Sequence, residues 1–204
     1  MQRKFIGARE LLLDSYRLAL RVFRGGFRPT FLVGLWPGGS AVGMAVQECL
    51  DYLGVATDHA CVRIFDSEPR DDPGRAVDSG GQTLHGAEDL IEKLDPADSL
   101  LVVDAVCGSG SSVAALLSRL RDRLGPEFLD RARVAAIWHR PAPRAPRPPD
   151  YFLHETSDSI VLPHELAGLS LEEIRAHKPG LREILDGLRQ LPETAALFGS
   201  RPRH

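Results

Sequence analysis

Hydrophobic positions recur along this chain with two different periods, and the alternation of these periods predicts its architecture. Helical spacing predicts helices at 8–24, 41–53, 86–94, 113–124 and 181–191, and a capping box at Ser170–Glu173 opens a further one. Short apolar runs predict strands at 31–36, 59–65, 100–103, 133–138, 151–154 and 160–162. This alternation predicts an α/β fold with a mostly parallel sheet covered by helices on both faces, and with ligands at the carboxyl ends of its strands.

Two segments show neither the helical nor the strand period of hydrophobic positions. Residues 66–81 combine many charges with several prolines and glycines, which predicts a mobile loop that is either functional or disordered. Residues 141–149 are rich in proline and are interpreted as a stiff surface connection. Pro37-Gly38-Gly39 is predicted to end the strand of residues 31–36. Ser40 is predicted to be the N-cap of the helix of residues 41–53, which ends near Gly54.

Composition narrows the class of protein without identifying it. The 204 residues are 43% hydrophobic, which is enough for the core of one α/β domain spanning 1–204. A net charge of −3 gives no reason to expect nucleic acid or an acidic membrane as a partner, and no apolar run approaches the length of a bilayer span. The three cysteines fit no disulfide or zinc spacing, which favours a reducing, cytoplasmic location.

The segment after the central strand has the features of an anion site. The apolar run Leu100–Val103 ends at Asp104, and a helix follows from residue 113. Between them lies a turn of small and hydroxyl-bearing residues: Gly108, Ser109, Gly110, Ser111 and Ser112. Glycines expose backbone N–H groups, serines donate hydrogen bonds, and the helix dipole favours negative charge. The alternative is an ordinary strand-to-helix turn capped by serine.

A second glycine-rich turn follows the first predicted strand of the sheet. It consists of Trp36, Pro37, Gly38 and Gly39, at the carboxyl end of the strand over residues 31–36. Two anion-binding turns on one sheet predict a ligand with two separate phosphate groups. The glycine spacing differs from the dinucleotide-binding fingerprint, and the chain has no Gly-Lys-Ser/Thr P-loop.

These segments resemble the type I phosphoribosyltransferases. Leu101–Ser112 resembles the family's phosphoribosyl pyrophosphate (PRPP) motif, and Phe31–Ser40 resembles its pyrophosphate loop. Pro149–Thr156 and Ile160–Leu166 resemble the hood of the hypoxanthine/guanine/xanthine branch. The resemblance covers about residues 28–180 in order, and it implies a core at about 28–140, with a hood formed by about 141–180 and the C-terminal helices.

The resemblance also implies roles for individual residues. Asp104 would hold the ribose hydroxyls and would be the catalytic residue, while Trp36 to Gly39 would border the pyrophosphate. The backbone of Ile160, next to Ser159, would meet the base edge, and Arg140 would contact the base unless it is simply a solvated strand end. The 5′-phosphate would be bound by Gly108, Ser109, Gly110, Ser111 and Ser112. The resemblance implies Mg²⁺, bridged by the substrate, as the cofactor. It implies PRPP and a heterocyclic base or nucleotide as the ligands, and it implies a homodimer.

Four positions depart from the family pattern. Ala105 stands where the family has its second acidic residue. Gly108 stands where the family has an aspartate that would contact the purine and transfer a proton. Such a general acid–base contributes about 10²–10⁴ in rate. Ser159 stands where the family has an aromatic residue that stacks on the base, and Pro37 stands where the family has a basic residue in the pyrophosphate loop. Two hypotheses follow: an enzyme that transfers phosphoribosyl to a purine-like or modified base, or a catalytically impaired protein that binds PRPP or nucleotides.

Other residues near these motifs receive simpler interpretations. The family often has a cis peptide without proline in its pyrophosphate loop, and a cis bond before proline costs only about 0.5–1 kcal/mol, so Trp36–Pro37 is predicted to be cis rather than trans. Cys107 is interpreted as a core residue rather than a nucleophile. The spacing of His154 and His164 lacks a third ligand, so no protein-held metal is expected. Arginines that could reach pyrophosphate from the loop, or remain solvated, are Arg63, Arg70 and Arg75.

Overall fold

A computed structural model describes residues 2–66, 82–142 and 148–188 of the chain. The predicted loop over 66–81, with Arg70 and Arg75, therefore lies almost entirely outside the described residues. The same holds for residues 143–147 of the proline-rich connection and for the end of the last predicted helix. Within the described part, no helix is both long and apolar enough to cross a membrane.

The described residues form two compact units, the first comprising residues 12–158 and the second residues 2–11 together with the chain from residue 159 onward. The strands are β1 (Arg3–Phe5), β2 (Phe31–Trp36), β3 (Asp58–Asp66), β4 (Gln82–His85), β5 (Leu100–Cys107), β6 (Ala132–His139), β7 (Tyr151–Glu155) and β8 (Ser159–Val161). The helices are α1 (Ala8–Arg24), α2 (Gly38–Tyr52), α3 (Ala87–Lys93), α4 (Ser111–Leu124), α5 (Leu171–His177) and α6 (Arg182–Leu188).

The first unit is built on a six-stranded sheet in the order β4-β3-β2-β5-β6-β7. Every neighbouring pair is parallel except β3 and β4, which are antiparallel. The most apolar runs of the chain, β2, β5 and β6, occupy the middle of the sheet, where both faces are buried. The predicted α/β class and the mostly parallel sheet are confirmed.

Helices cover both faces of this sheet, as the alternation of the strands requires. Leu100 and Val102 of β5 belong to one hydrophobic cluster with residues of α3 and α4, including Leu90 and Leu116. The alternate residues of the strands face α2 on the other side of the sheet. A Cβ on Gly43 of α2 would contact the side chains of Leu32 in β2 and Val103 in β5. Alternate residues of a strand point to opposite faces, so a continuous apolar run is needed to fill both layers.

The second unit is small, and its strands β1 and β8 form a parallel pair. The predicted capping box is confirmed, because the Ser170 side chain accepts from the N–H of Glu173 and the Glu173 side chain accepts from the N–H of Ser170. Arg3 adds a 2.6 Å ion pair to Glu173, and the rings of Phe5 and His177 stack at 3.9 Å. The side-chain contacts therefore join residues 2–11 to the segment after residue 159.

The boundaries of two helices differ from the sequence prediction. Helix α2 begins at Gly38 rather than at residue 41, and its N-cap is Pro37, so the prediction of Ser40 as the N-cap is wrong. Helix α4 begins at Ser111, two residues before the predicted start, after the N-cap Gly110. In both cases the helix includes residues that composition alone had assigned to a turn, because small residues at a helix start carry no apolar periodicity.

The sequence did not predict strands β1 and β4. Each is short, with three and four residues respectively, and neither contains a run of β-branched or aromatic residues. Both pair at only one side within the described part of the chain, β1 with β8 and β4 with β3. Their structure is therefore set by the partner strand rather than by their own propensity.

The close approach of α2 to the centre of the sheet requires glycine at position 39. A Cβ placed there would lie 2.2 Å from the carbonyl oxygen of Val103 and 3.0 Å from Cα of Asp104. A Cβ on Gly34 of β2 would likewise lie 2.9 Å from the carbonyl oxygen of Gly39. The backbones of β2, α2 and β5 are thus in direct contact at this point.

We expect Gly39→Ala to lower the free energy of unfolding by about 2 kcal/mol or more, because a backbone atom cannot move aside as a side chain can. Gly43→Ala is the matched control in the same helix, since its added Cβ meets the movable tip of Leu32 at 3.1 Å. Urea denaturation of both variants measures the difference. Equal midpoints for Gly39→Ala and the wild type would contradict the contact.

Candidate functional site

The central strand β5 presents its last residues at the carboxyl edge of the sheet. Along the strand, Leu100 to Val103 are buried and Asp104 is the first half-buried side chain. Ala105, where the resemblance implies a second acidic residue, is only 1% exposed. An apolar side chain suits this buried position, whereas a carboxylate there would be desolvated.

The turn after β5 opens toward solvent at the start of α4. Gly110 adopts a left-handed conformation (φ 71°), and as N-cap it supplies no side-chain hydrogen bond to the first turn. The Oγ atoms of Ser109 and Ser111 lie 3.0 Å apart, and the Ser111 N–H donates to Ser109 Oγ at 3.3 Å. Hydroxyl groups and helix N–H groups therefore meet at one helix N-terminus, which is the arrangement that binds anions.

A polar pocket of about 170 Å³ lies over this turn. It is lined by Asp104, Val106, Cys107, Gly108, Ser109, Gly110, Ser111, Ser112, Val113 and Arg140. The structure thus brings together Asp104, the whole predicted phosphate cradle and Arg140, which come from β5, α4 and the segment after β6. The predicted cradle, one carboxyl group and one guanidinium group therefore line the same pocket.

Arg140 reaches this pocket because β6 is the parallel neighbour of β5. Cys107 is paired with His139 in the sheet, and the N–H of Arg140 donates to the carbonyl oxygen of Cys107 at 2.8 Å. A Cβ on Gly108 would lie 3.4 Å from Nη2 of Arg140. The sequence prediction assigned Arg140 to the base, and the structure places its guanidinium beside Gly108, the position at which the resemblance implies an aspartate.

Burial controls the ionisation of Asp104. Desolvation raises the pKa of Asp104 from 3.8 to about 7, although hydrogen bonds from the N–H groups of Ala105 and Val106 oppose this shift. The bond from Ala105 to Oδ1 measures 2.7 Å. Near neutral pH this carboxyl group therefore exists in both protonation states, which is the range suited to proton transfer.

Cys107, unlike Asp104, does not titrate near neutral pH. Its side chain is buried, and burial together with the nearby Asp104 raises the pKa of the Cys107 thiol to about 11. A thiol with such a pKa stays protonated at neutral pH and is a poor nucleophile. The structure therefore supports the interpretation of Cys107 as a core residue.

The second predicted turn lies against the end of strand β5. The Trp36–Pro37 peptide bond is cis, as predicted. Gly38 and Gly39 are buried in the first turn of α2, where Gly39 contacts Val103 and Asp104. Trp36 is 50% exposed, and the guanidinium carbon of Arg63 lies 6.0 Å from the centre of its ring. The segment predicted as a pyrophosphate loop is thus a strand end followed at once by a helix.

The predicted base-contacting residues Ser159 and Ile160 lie on β8, in the second unit. The N–H of Ser159 donates to the carbonyl oxygen of Gln2 at 2.9 Å, and Ile160 pairs with Lys4 of β1. Their proposed role toward the base stays a prediction.

The two histidines considered as metal ligands have different surroundings. His154 of β7 lies 2.7 Å from a carboxylate oxygen of Asp14 on α1, and its ring stacks on Trp138. His164 follows β8 in the second unit. Among the described residues, no group of three or more histidine, cysteine or acidic side chains has the arrangement of a metal site.

Comparison with known proteins identifies the fold. The sequence matches no family model and no curated protein. Among solved structures, a purine phosphoribosyltransferase from Pyrococcus horikoshii is similar, with 16% identity over 83% of this chain and 99% of the other, and a TM-score of 0.60. The xanthine-guanine-hypoxanthine phosphoribosyltransferase of Helicobacter pylori shares 19% identity over 86% of this chain and 100% of the other, with a TM-score of 0.61.

A third similar structure is a hypothetical protein from Neisseria gonorrhoeae with bound ppGpp, at 16% identity over 89% of this chain and 98% of the other, with a TM-score of 0.60. The protein therefore has the fold of the type I phosphoribosyltransferases of the hypoxanthine/guanine/xanthine kind. At these identities the comparison establishes the fold, and the chemistry depends on the residues of the pocket.

Sequence reasoning missed parts of the site that depend on packing. Val106, Cys107 and Val113 line the pocket although none carries an obvious ligand-binding group. The glycine contact between β2 and α2 was also missed, and its signal was Gly34, a glycine inside an otherwise apolar strand.

Replacement of Asp104 tests its ionisation. Because the carboxyl group has a higher pKa in the folded chain than in the unfolded chain, the contribution of Asp104 to the free energy of unfolding falls as pH rises from about 4 to about 7. Asp104→Asn removes this effect, so we expect the variant to exceed the wild type by about 1–3 kcal/mol at pH 8 and by much less at pH 4. Urea denaturation at several pH values measures the difference, and a constant difference across this range would refute the assignment.

Proposed function

We propose that the protein transfers the 5-phosphoribosyl group of PRPP to a purine-like or modified heterocyclic acceptor, with release of pyrophosphate. The observation that carries this proposal is the pocket in which the cradle from Gly108 to Ser112 lies with Asp104, next to the backbone of Gly39. The fold, which resembles that of purine phosphoribosyltransferases, supports the same reaction class.

In this proposal the two turns bind the two ends of PRPP. The N–H groups and hydroxyls from Gly108 to Ser112 bind the 5′-phosphate, and the residues from Trp36 to Gly39 border the pyrophosphate. Asp104 lies between these turns and interacts with the ribose hydroxyls. Such fixed placement of the ribose and its leaving group supplies much of the rate, because C1′ develops positive charge as the bond to pyrophosphate breaks.

The oxygen-rich lining is compatible with Mg²⁺ entering on the substrate. Asp104 is the one carboxylate among the residues that line the pocket, and Mg²⁺ is commonly bound by one or two carboxylates together with substrate phosphates. The ion would then be held by Asp104 and by the oxygens of PRPP. It would supply positive charge to the departing pyrophosphate.

The acceptor base meets a different set of groups from those of the family pattern. Gly108 offers no carboxylate, and the guanidinium of Arg140 occupies the adjacent space. Arg140 donates hydrogen bonds and cannot accept a proton at neutral pH. A base that loses its proton easily in solution therefore suits this site better than one that needs a strong general base.

A second candidate function is nucleotide binding without turnover, as in a regulatory or partner protein. Two observations favour it: the buried Ala105 and the replacement of a catalytic acid by Gly108 next to Arg140. A pocket with one guanidinium and a carboxyl group of pKa about 7 suits a phosphate monoester. The similar Neisseria protein carries ppGpp, a nucleotide with two phosphorylated positions. We further propose a cytoplasmic location, in agreement with three cysteines that fit no disulfide spacing, and a homodimeric assembly, which the family resemblance implies.

Turnover separates the two candidates. We expect PRPP with Mg²⁺ to release pyrophosphate in the presence of at least one member of a panel of purine and other heterocyclic bases. The measurement is a coupled pyrophosphate assay, run beside calorimetric titration of PRPP. Tight PRPP binding without release on any base would reject the enzyme and leave the binding function.

Both candidate functions require the phosphate cradle of residues 108–112, and removal of its serine hydroxyls tests that cradle. Ser111→Ala with Ser112→Ala should raise the Kd for PRPP by about tenfold or more, since two hydrogen bonds to a charged phosphate are lost. Ser118→Ala is the matched control, because it removes a hydroxyl from the same helix outside the pocket. If both variants bind PRPP as the wild type does, the cradle has been assigned to the wrong turn.

A further inference from the structure

A second cavity of the first unit has a wall of arginines and no residue of the phosphate cradle. It has a volume of about 330 Å³ and is lined by Arg17, Leu20, Arg21, Arg24 and Leu153. The three arginines occupy positions i, i+4 and i+7 of α1, so they lie on one face of that helix. The leucines, one from α1 and one from β7, provide apolar surface in the same cavity.

The positive charge of this cavity is only partly compensated. Arg17 forms a 2.6 Å ion pair with Asp14, whose other oxygen contacts His154. The guanidinium carbon of Arg21 lies 5.7 Å from the ring centre of Phe152. In the described part of the chain, neither Arg21 nor Arg24 forms an ion pair with a carboxylate, and the residues that line the cavity include no acidic side chain.

Position at a helix end accounts for part of this arrangement. Arg21 and Arg24 lie in the last turn of α1, where cations interact favourably with the helix dipole. That effect explains why single cations are tolerated there. It does not explain a concave surface with apolar walls, nor three like charges on one helix face in a protein whose net charge is −3.

We propose that this cavity binds the polyphosphate chain of a small ligand. Guanidinium groups form paired, charge-assisted hydrogen bonds with phosphoryl oxygens, and arginines three and four residues apart on a helix are neighbours that can contact one ligand together. The volume falls within the range of small-molecule sites, which begins at about 300 Å³. The ligand is either an inorganic polyphosphate or a nucleoside polyphosphate whose organic part contacts Leu20 and Leu153.

The proposal is independent of the proposed transferase function, because the two sites share no residue. The test therefore uses the full chain with the cradle weakened by Ser111→Ala and Ser112→Ala. Sodium tripolyphosphate, ATP and adenosine are titrated in separate calorimetric experiments in magnesium-free buffer of low ionic strength. Low salt is needed because the interaction of exposed charges is screened at high salt.

In this background we expect Arg21→Gln with Arg24→Gln to weaken tripolyphosphate binding at least tenfold. The matched control is Arg175→Gln with Arg182→Gln, which removes the same charge from exposed helical positions outside the cavity and should change the affinity less than twofold. Arg24→Gln alone serves as a second variant if the double variant unfolds, since no described contact depends on Arg24. Tighter binding of ATP than of tripolyphosphate identifies the nucleotide source, and equal binding identifies the inorganic one.

Three results would overturn the proposal. The first is an absence of tripolyphosphate and ATP binding in the cradle variant. The second is an equal loss of affinity in the control and in the Arg21/Arg24 variant, which would show a general effect of net charge. The third is adenosine binding that matches ATP binding, which would show that the phosphates do not contribute.

Discussion

The functional end of this molecule depends on a backbone contact that leaves no room for a side chain. Gly39 touches Val103 and Asp104, and Gly34 touches Gly39 in turn. This contact fixes the N-terminus of α2 against the carboxyl end of β5. Because α4 begins at the other side of the same strand end, both helix N-termini lie at one edge of the sheet, where a doubly phosphorylated ligand can meet them.

The charges of the cradle pocket differ from those that the family resemblance implies. The pocket retains phosphate-binding backbone and hydroxyl groups but has one carboxyl group, Asp104, where the resemblance implies three. Burial holds that group near its point of half-ionisation at neutral pH. Arg140 adds positive charge beside Gly108. The site is therefore better equipped to bind phosphate than to activate a base.

Features held together by interactions between residues close in sequence were predictable, and features that depend on distant residues were not. The turn after β5 and the capping box at Ser170 were predictable because their hydrogen bonds join residues close in sequence. The start of α2 was misplaced, since Gly38 and Gly39 have low helical propensity. They are nevertheless helical, and Gly39 packs against β5. Strand β4 was missed because its pairing partner decides its conformation.

By itself, the sequence determined the helices and the inner strands of the sheet in their order, together with the two glycine-rich turns, although it missed strands β1 and β4. These features depend on local periodicity and on the conformations that glycine and proline permit. Only the tertiary structure decided that Arg140 shares a pocket with Gly108, because that requires the register of β5 against β6. It alone also placed the arginines of α1 beside Leu153, since residues far apart in sequence meet through packing and not through local pattern.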